Sequence, residues 1–331
     1  MKKVIVTGGA GYIGSHTCVE LYKAGYAPII IDNFCNTTEE NVNGIKSIIK
    51  DDIPYYKIDC TNAGKLYDVF NKIGIKDIVG VIHFAAYKSV EESVNKPHKY
   101  FKNNIGSLEA LMDVMSTLEI DNLIFSSSCS VYGNTKVLPV TEDTPFQEAE
   151  SPYGETKQIC ERILSESRLY SVSLRYFNPI GSHESSLIGD CSKDSPVCLV
   201  PVITDTASGK RDELVVYGND YDTKDGTCIR DYIHVVDLAK SHVNALSYLI
   251  KSNGKHIFNV GTGTGYSVLE TIKTFEKVNK IKINWKYGDR RPGDVVEIYS
   301  DCTKVNKHLN WKSEKSLKQA LQDAWNWELS R

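Results

Sequence analysis

The sequence predicts an α/β protein, a doubly wound parallel sheet joined to a smaller α+β C-terminal domain. Three observations carry that expectation. Short β-branched runs alternate with longer amphipathic segments, the pattern of successive β-α-β units. The first run feeds directly into a glycine-rich turn and a helix. The chain has 331 residues, which suggests about two domains at roughly 150 residues each.

The elements follow in order. Val4–Thr7 reads as the first strand and Ile13–Ala24 as its helix. Pro28–Asp32, Tyr55–Asp59 and Ile78–Phe84 read as the next three strands, with a helix over Ala63–Lys72. Pro97–Thr117 reads as one helix, and Pro97 suits its first position, where no N–H is needed. Asn122–Ser127 and Val172–Phe177 are strands flanking a helix over Pro152–Leu169. Alternation becomes irregular after Asn178. Ser182–Ser195 and Asn219–Thr227 are rich in Ser, Asp, Gly and Asn, so they read as loops. Ile233–Ser252 reads as a helix, and Lys255–Val260 as a strand that rejoins the first sheet. Both domains are therefore expected to be discontinuous, residues 1–178 with 233–261 forming one and 179–232 with 262–331 the other.

Composition excludes several classes. Apolar residues make up 41% and charged residues 24%, as in ordinary soluble domains. Lys and Arg number 39 against 42 Asp and Glu, a net charge of −3, so the basic excess of a nucleic-acid binder is missing. Apolar runs such as Val4–Val6 and Ile29–Ile31 are far shorter than the ~20 residues that span a bilayer. Met1–Gly8 reaches glycine too early for a signal peptide, and a cytoplasmic protein is expected. Nine cysteines, an odd number with no C-x-x-C pair, fit reduced and mostly buried thiols rather than disulfides or zinc. No metal site is expected.

Glycines 8, 11 and 14 give a G-x-x-G-x-x-G spacing between the first strand and its helix. Such a turn lets backbone N–H groups at a helix start face a pyrophosphate. The bland alternative is a plain strand-to-helix turn. Against it stands Asp32, at the end of the second strand and 18 residues beyond Gly14, near the ~20 expected of a ribose-binding acid. An acid there repels a 2′-phosphate, and Asn33 and Phe34 follow with no Arg to hold one. NAD is favoured over NADP.

Ser126, Ser127 and Ser128 end a strand, and Tyr153 and Lys157 stand at i and i+4 of a helix that Ser151 can cap. Alone, Y-x-x-x-K is often a surface pair. With the serine run and the dinucleotide turn it makes an alcohol–ketone redox site. Free tyrosine, with a pKa of ~10, is too weak a base at neutral pH. A lysine ammonium and an oxidised nicotinamide nearby are expected to draw it down. Tyr153 would then move the proton while Ser128 orients the oxygen.

These residues place the chain among the extended short-chain dehydrogenase/reductases. Several blocks resemble the UDP-glucose (UDP-galactose) 4-epimerase family: Gly8–Cys18 (GGAGYIGSHTC), Asp32–Asn36, His83–Val94, Arg175–Gly181 (RYFNPIG), Gly218–Val235, Arg290–Asp294 (RRPGD) and Leu309–Trp311. The resemblance implies a Rossmann cofactor domain, tightly held NAD and a UDP-sugar-binding C-terminal domain. It implies an NAD site formed by Gly8, Gly11, Tyr12, Ile13, Gly14, Asp32, Asn33 and Asn36. Asp59, Cys60, Phe84, Ala85, Lys88, Asn103, Tyr153, Lys157 and Tyr176 would complete it, with Lys88 and Lys157 pointing at cofactor hydroxyls. The UDP-sugar would meet Lys88, Ser128, Tyr153, Phe177, Asn178, Cys198 and Leu199, then Val215, Tyr217, Arg230, Tyr232, Arg291, Asp294 and Ile298. From the residues alone, Arg230 could equally pair with Asp231 or Asp237, and Asn178 before Pro179 could be a strand-ending turn.

The implied reaction moves a proton and a hydride off the sugar C4, lets a 4-keto sugar swing over, and returns both to its other face. The family also implies a homodimer paired through the helices near Pro97–Thr117 and Pro152–Leu169. Two departures stand out. Val197-Cys198 replaces an Asn pair before Leu199-Val200-Pro201, and Ile298 occupies the position that tunes sugar size. An aromatic there implies unmodified hexoses and a small residue N-acetylhexosamines; Ile298 is intermediate, and a UDP-pentose or uronate is a further alternative. A nucleotide-sugar 4,6-dehydratase would carry an Asp–Glu pair where Cys129 and Ser130 stand. A non-catalytic NAD sensor would have no use for Ser128, Tyr153 and Lys157 together.

Overall fold

A computed structural model describes residues 1–193, 196–291 and 293–331. Asp194 and Ser195 of the expected Ser182–Ser195 loop, and Pro292 of the Arg290–Asp294 block, lie outside the described residues. The first half runs β1 (Lys2–Thr7), α1 (Tyr12–Lys23), β2 (Tyr26–Asp32), α2 (Glu40–Ile49), β3 (Tyr55–Lys57), α3 (Ala63–Ile73) and β4 (Ile78–His83). It continues through α4 (Val90–Asn95), α5 (Pro97–Tyr100), α6 (Gly106–Thr117), β5 (Asn122–Ser128), α7 (Pro152–Glu166) and β6 (Tyr170–Tyr176). The second half comprises β7 (Asn178–Ile180), α8 (Leu199–Ala207), β8 (Leu214–Tyr217), β9 (Ile229–His234), α9 (Val235–Ser252) and β10 (Lys255–Val260). It closes with β11 (Gly265–Ser267), α10 (Val268–Asn279), β12 (Trp285–Gly288), β13 (Glu297–Ile298), α11 (Thr303–Leu309) and α12 (Leu317–Leu329).

Seven strands form one sheet in the order β10-β6-β5-β4-β1-β2-β3, every neighbouring pair parallel. Side chains alternate along each strand, so β1 sends Val4 and Val6 into one core and Ile5 into another. The first core packs Cys18, Val19, Leu238 and Leu246 of α1 and α9. The second packs Leu66, Phe70, Leu108, Leu111, Cys160 and Leu164 of α3, α6 and α7. Helices thus cover both faces, which is why the strands are apolar on both sides. The strand order reverses between β1 and β4, the place where open α/β sheets leave a crevice.

The remaining strands make a small sheet in which β9 lies between β11 and β13 and also pairs with β7. A separate parallel pair joins β12 to β8. Val200, Ile203, Leu269, Phe275, Leu317 and Leu321 form the core under α8, α10 and α12.

Several sequence boundaries move. The Pro97–Thr117 helix is interrupted by a π-helical turn at Phe101–Ile105. The third strand stops at Lys57, opposite the last residue of β2, Asp32, and Asp59 beyond it accepts from Thr61 N–H in a turn. The Pro152 helix ends at Glu166 rather than Leu169. Ile233 lies in β9, and α9 starts only after His234, whose ring nitrogen accepts from Val236 N–H and caps it. All nine cysteines are free; five are buried, while Cys35 and Cys198 are exposed.

One carboxylate ties the smaller sheet to the loops around it. Asp231 on β9 accepts five hydrogen bonds, from Thr262 N and Oγ1, Gly263 N, and Ser300 N and Oγ. It is fully buried, so removing it strands several donors without water. Asp231→Ala is expected to cost about 3 kcal/mol or more of folding free energy, read as a lower urea midpoint. An unchanged midpoint would show that these donors find other partners.

Candidate active site

The glycine turn lies at the reversal of strand order. Gly8 has φ +70°, and a Cβ there would stand 2.8 Å from Ala85 N and 2.9 Å from Phe84 C. A Cβ on Gly14 would overlap the Gly8 carbonyl. The turn is bound to both flanking strands, Gly8 N–H donating to Ile31 O at 2.7 Å and Phe84 N–H to Thr7 O at 2.9 Å. Gly11 precedes α1 with no side-chain cap and no acid in the first turn. Those N–H groups therefore face the crevice, as an anion-binding helix start requires.

Asp32 ends β2 and braces this turn, its carboxylate accepting from Ala10 N at 3.1 Å and Phe34 N at 2.9 Å. Burial pushes its pKa up, against those two N–H bonds and the charge of Lys193. Asn33 donates to Asp59 at 3.2 Å. Asn36 carries a buried Oδ1 without a partner, a polar atom left for a ligand. Tyr12 reaches across to Gly181 O at 2.5 Å, and Ile13 packs on the first core. Phe84 and Tyr176 flank the His242 ring at 4.7 and 5.9 Å. Asn103 sits in the π-helical turn and donates to Asn104 at 3.0 Å. The uncapped helix start, the bare Gly8–Ala85 contact and the Asn36 oxygen fit a dinucleotide.

Two expected cofactor contacts are otherwise engaged. Cys60 buries its thiol in the core beside Leu66, so it can offer only its backbone. Lys88 pairs with Asp190 at 3.4 Å, a residue to which the sequence offered no pointer beyond a loop. That loop is tied down along its length. Asn41 bonds Gly189 through both its amide N and O, at 3.1 and 3.2 Å, and also Ala10 O at 3.1 Å. Lys193 donates to Phe34 O at 2.8 Å. The loop thus runs from the glycine turn to the segment after Asp32.

Ser128 ends β5 and accepts from Ser130 N at 3.2 Å. Ser151 caps α7 through Gly154 N at 3.2 Å with Pro152 in the first turn, which aims Tyr153 and Lys157 from the same face. Lys157 lies 5.8 Å from the Tyr153 ring centre, but its ammonium donates to Ser126 O at 2.7 Å. Burial lowers the Lys157 pKa to about 8, against the charges of Cys160 and Glu161. Burial, with the neighbouring Tyr176, holds the Tyr153 phenol well above the ordinary range, and only a hydrogen bond to Ser128 pulls it down. Desolvation of the phenolate is the largest influence on it.

Of the residues expected to meet the UDP-sugar, Asn178, Arg230, Tyr232 and Ile298 lie on β7, β9 and β13. Asn178 begins β7 rather than ending a turn, in register with Tyr232, which is almost fully buried. Arg230 pairs with neither Asp231 nor Asp237, whose carboxylates accept N–H bonds from the 262–263 and 314–315 loops. Its partner is Asp294, at 3.7 Å, and Arg291 binds the same carboxylate at 2.9 Å. Arg291 also lies 5.4 Å over Tyr217, while Val215 sits two residues earlier on β8. Ile298 is opposite Arg230 on β13 and packs with Phe177, Val131 and Tyr132. Cys198 precedes α8, whose first residue is Leu199, and lies within electrostatic reach of Lys88, Asp190 and Arg291.

Comparison with known proteins places this arrangement. A family model described as GDP-mannose 4,6 dehydratase matches residues 5–324. UDP-glucose 4-epimerase of Bacillus subtilis is 44% identical over 332 residues, 99% of this chain and 97% of that protein. The structure of UDP-glucose 4-epimerase from Bifidobacterium longum in complex with NAD+ and UDP has a TM-score of 0.94 at 42% identity, covering 99% of this chain and 98% of that one. UDP-glucose 4-epimerase from Stenotrophomonas maltophila, with bound NAD and formylated UDP-arabinopyranose, has a TM-score of 0.96 at 38% identity, covering 100% and 98%. With this identity sustained over nearly its whole length, the chain belongs to the UDP-glucose 4-epimerase family of extended short-chain dehydrogenase/reductases.

Proposed function

We propose that the protein interconverts UDP-galactose and UDP-glucose by reversible inversion at the sugar C4, with NAD held throughout. The observation that carries this reading is the placing of Ser128 at the end of β5 and of Tyr153 and Lys157 on one face of α7, at the carboxyl end of the large sheet. Cys129, where a dehydratase would carry an acid, has its thiol pushed up to about 12 by burial. Ser130 buries its hydroxyl. Neither can do the acid–base work of removing water.

The chemistry that NAD supplies when bound is reversible acceptance of hydride from C4, together with a positive ring beside the phenol. Tyr153 Oη takes the proton of the C4 hydroxyl and later returns it to the same oxygen. Ser128 Oγ orients that oxygen by hydrogen bonding. Lys157 stabilises the phenolate and contacts a cofactor hydroxyl. Residues 1–178 with 233–261 hold the cofactor, and 179–232 with 262–331 hold the UDP. Arg230 and Arg291 face the diphosphate, since guanidinium groups give fixed, multidentate donors. Asn178, Tyr232, Asp294, Cys198, Leu199, Val215 and Tyr217 complete the nucleotide grip, while Phe177 and Ile298 wall the sugar. A firmly anchored nucleotide and an apolar sugar wall suit a keto sugar that must turn over.

The finer expectations are a homodimer paired through α5–α6 and α7, a cytoplasmic location and a part in galactose metabolism. Among the described residues no helix is long and apolar enough to cross a membrane.

Purified protein should carry NAD and convert UDP-galactose to UDP-glucose without added oxidant, seen by chromatographic separation of the two sugars. Unchanged starting material with NAD bound would sink the proposal. Tyr153→Phe should lower turnover by roughly 10²–10⁴-fold, and a near-wild-type rate would place the proton elsewhere. Asn41→Ala removes the bonds that hold the loop at Gly189, so the lifetime of bound NAD should shorten about fivefold, measured by cofactor release after dilution. An unchanged lifetime would show that this loop does not retain the cofactor.

A further inference from the structure

Ser128 is bracketed by a buried polar network outside the reacting groups. On its N-terminal side, Ser127 donates its hydroxyl to Glu161 of α7. Glu161 stands eight residues after Tyr153 and four after Lys157 on the same helix. Its carboxylate is held by Arg175 of β6, the cross-strand partner of Ser127, at 2.6 and 3.0 Å. Both charged side chains are 4% exposed. On its C-terminal side, the short turn Cys129–Tyr132 ends at Tyr132. The Tyr132 hydroxyl accepts from Arg175 at 3.1 Å and donates to Asn259 of β10 at 2.5 Å. One guanidinium therefore grips the chain before and after Ser128, while Lys157 holds Ser126 O.

We propose that Ser127, Glu161 and Arg175 are positioning residues that fix Ser128 against Tyr153 for the transfer at C4. The proposal rests on the reading of the site given above. Physical economy favours it: a buried ion pair of this kind is a poor source of stability, because apolar residues of similar shape often serve as well or better. Geometry is what it secures. The tyrosine helix and the serine strand meet at right-sized distances only if α7 cannot slide along β5. The clasp from Ser127 to Glu161 pins that register one helical turn beyond the Lys157 bond, on the same face of α7.

The test uses the NAD-loaded protein and UDP-galactose. Ser127→Ala removes one hydroxyl and leaves Glu161 paired with Arg175. Turnover should fall about tenfold, with KM changed less than about twofold and the thermal midpoint within about 3 °C. Ser173→Ala, which deletes a buried hydroxyl on the neighbouring strand, should keep wild-type turnover. The double variant Glu161→Gln/Arg175→Met removes both charges together, and should fold and hold NAD while losing about a hundredfold in turnover. Wild-type turnover in both the Ser127 variant and the double variant would overturn the clasp. So would a rate loss accompanied by an equal loss at Ser173, since that is a general packing effect. If the wild-type protein itself leaves UDP-galactose unchanged, the epimerase reading fails instead, and the two failures are told apart.

Discussion

The site depends on one close approach, that of the Gly8 backbone to Phe84 and Ala85 where the strand order turns back on itself. Because a Cβ at Gly8 would stand 2.8 Å from Ala85 N, β1 and β4 end closer together than any side chain allows. That contact fixes where the uncapped start of α1 points. It also sets the level at which Asp32, Ser128 and Tyr176 end their own strands. Each of these residues sits at a carboxyl end of the same sheet. A crevice formed this way is rigid because its floor is backbone, held by hydrogen bonds to Ile31 and Thr7.

Charge is distributed around that floor unevenly. Three arginines lie near the proposed diphosphate, but they are not equivalent. Arg290 is held by Asp220 at 2.7 Å and stacked 4.2 Å over Tyr221, so it serves the loop. Arg230 and Arg291 share the single carboxylate of Asp294. One negative charge between two positive ones leaves net attraction for an anion, with the arginines already oriented. The chain as a whole is slightly acidic at −3, so this local excess owes nothing to overall composition.

Much of the cofactor half was legible because its signals are local. Glycine spacing, apolar runs and the Ser151–Pro152 helix start each lie within a few residues, and the structure has them there. The helix α2 has an equally local reason for its weak signal: Asn41, Asn43 and Gly44 are weak helix formers, and Glu39 at its N-cap makes no capping bond. The junction of β9 and α9 was misplaced because His234 does the capping with a ring nitrogen, outside the usual Ser, Thr, Asp and Asn set. What sequence could not supply were partners brought together by folding. Asp190 for Lys88, Asp294 for Arg230 and Glu161 for Ser127 are separated by 102, 64 and 34 residues, and no spacing rule links them. The high phenol pKa of Tyr153 belongs to the same class, since it comes from burial by distant segments.

The order of the strands has a consequence for synthesis. The outermost strand β10 pairs with β6 across an interval of nearly 80 residues that builds β7, α8, β8, β9 and α9. On the ribosome, six strands of the large sheet are therefore complete while its Val172 edge is still open. Parallel pairing over such intervals is slow, and an open edge is prone to pair with another chain. A nascent chain stalled before residue 255 would present that edge, and chaperone binding or aggregation would concentrate at this stage of translation.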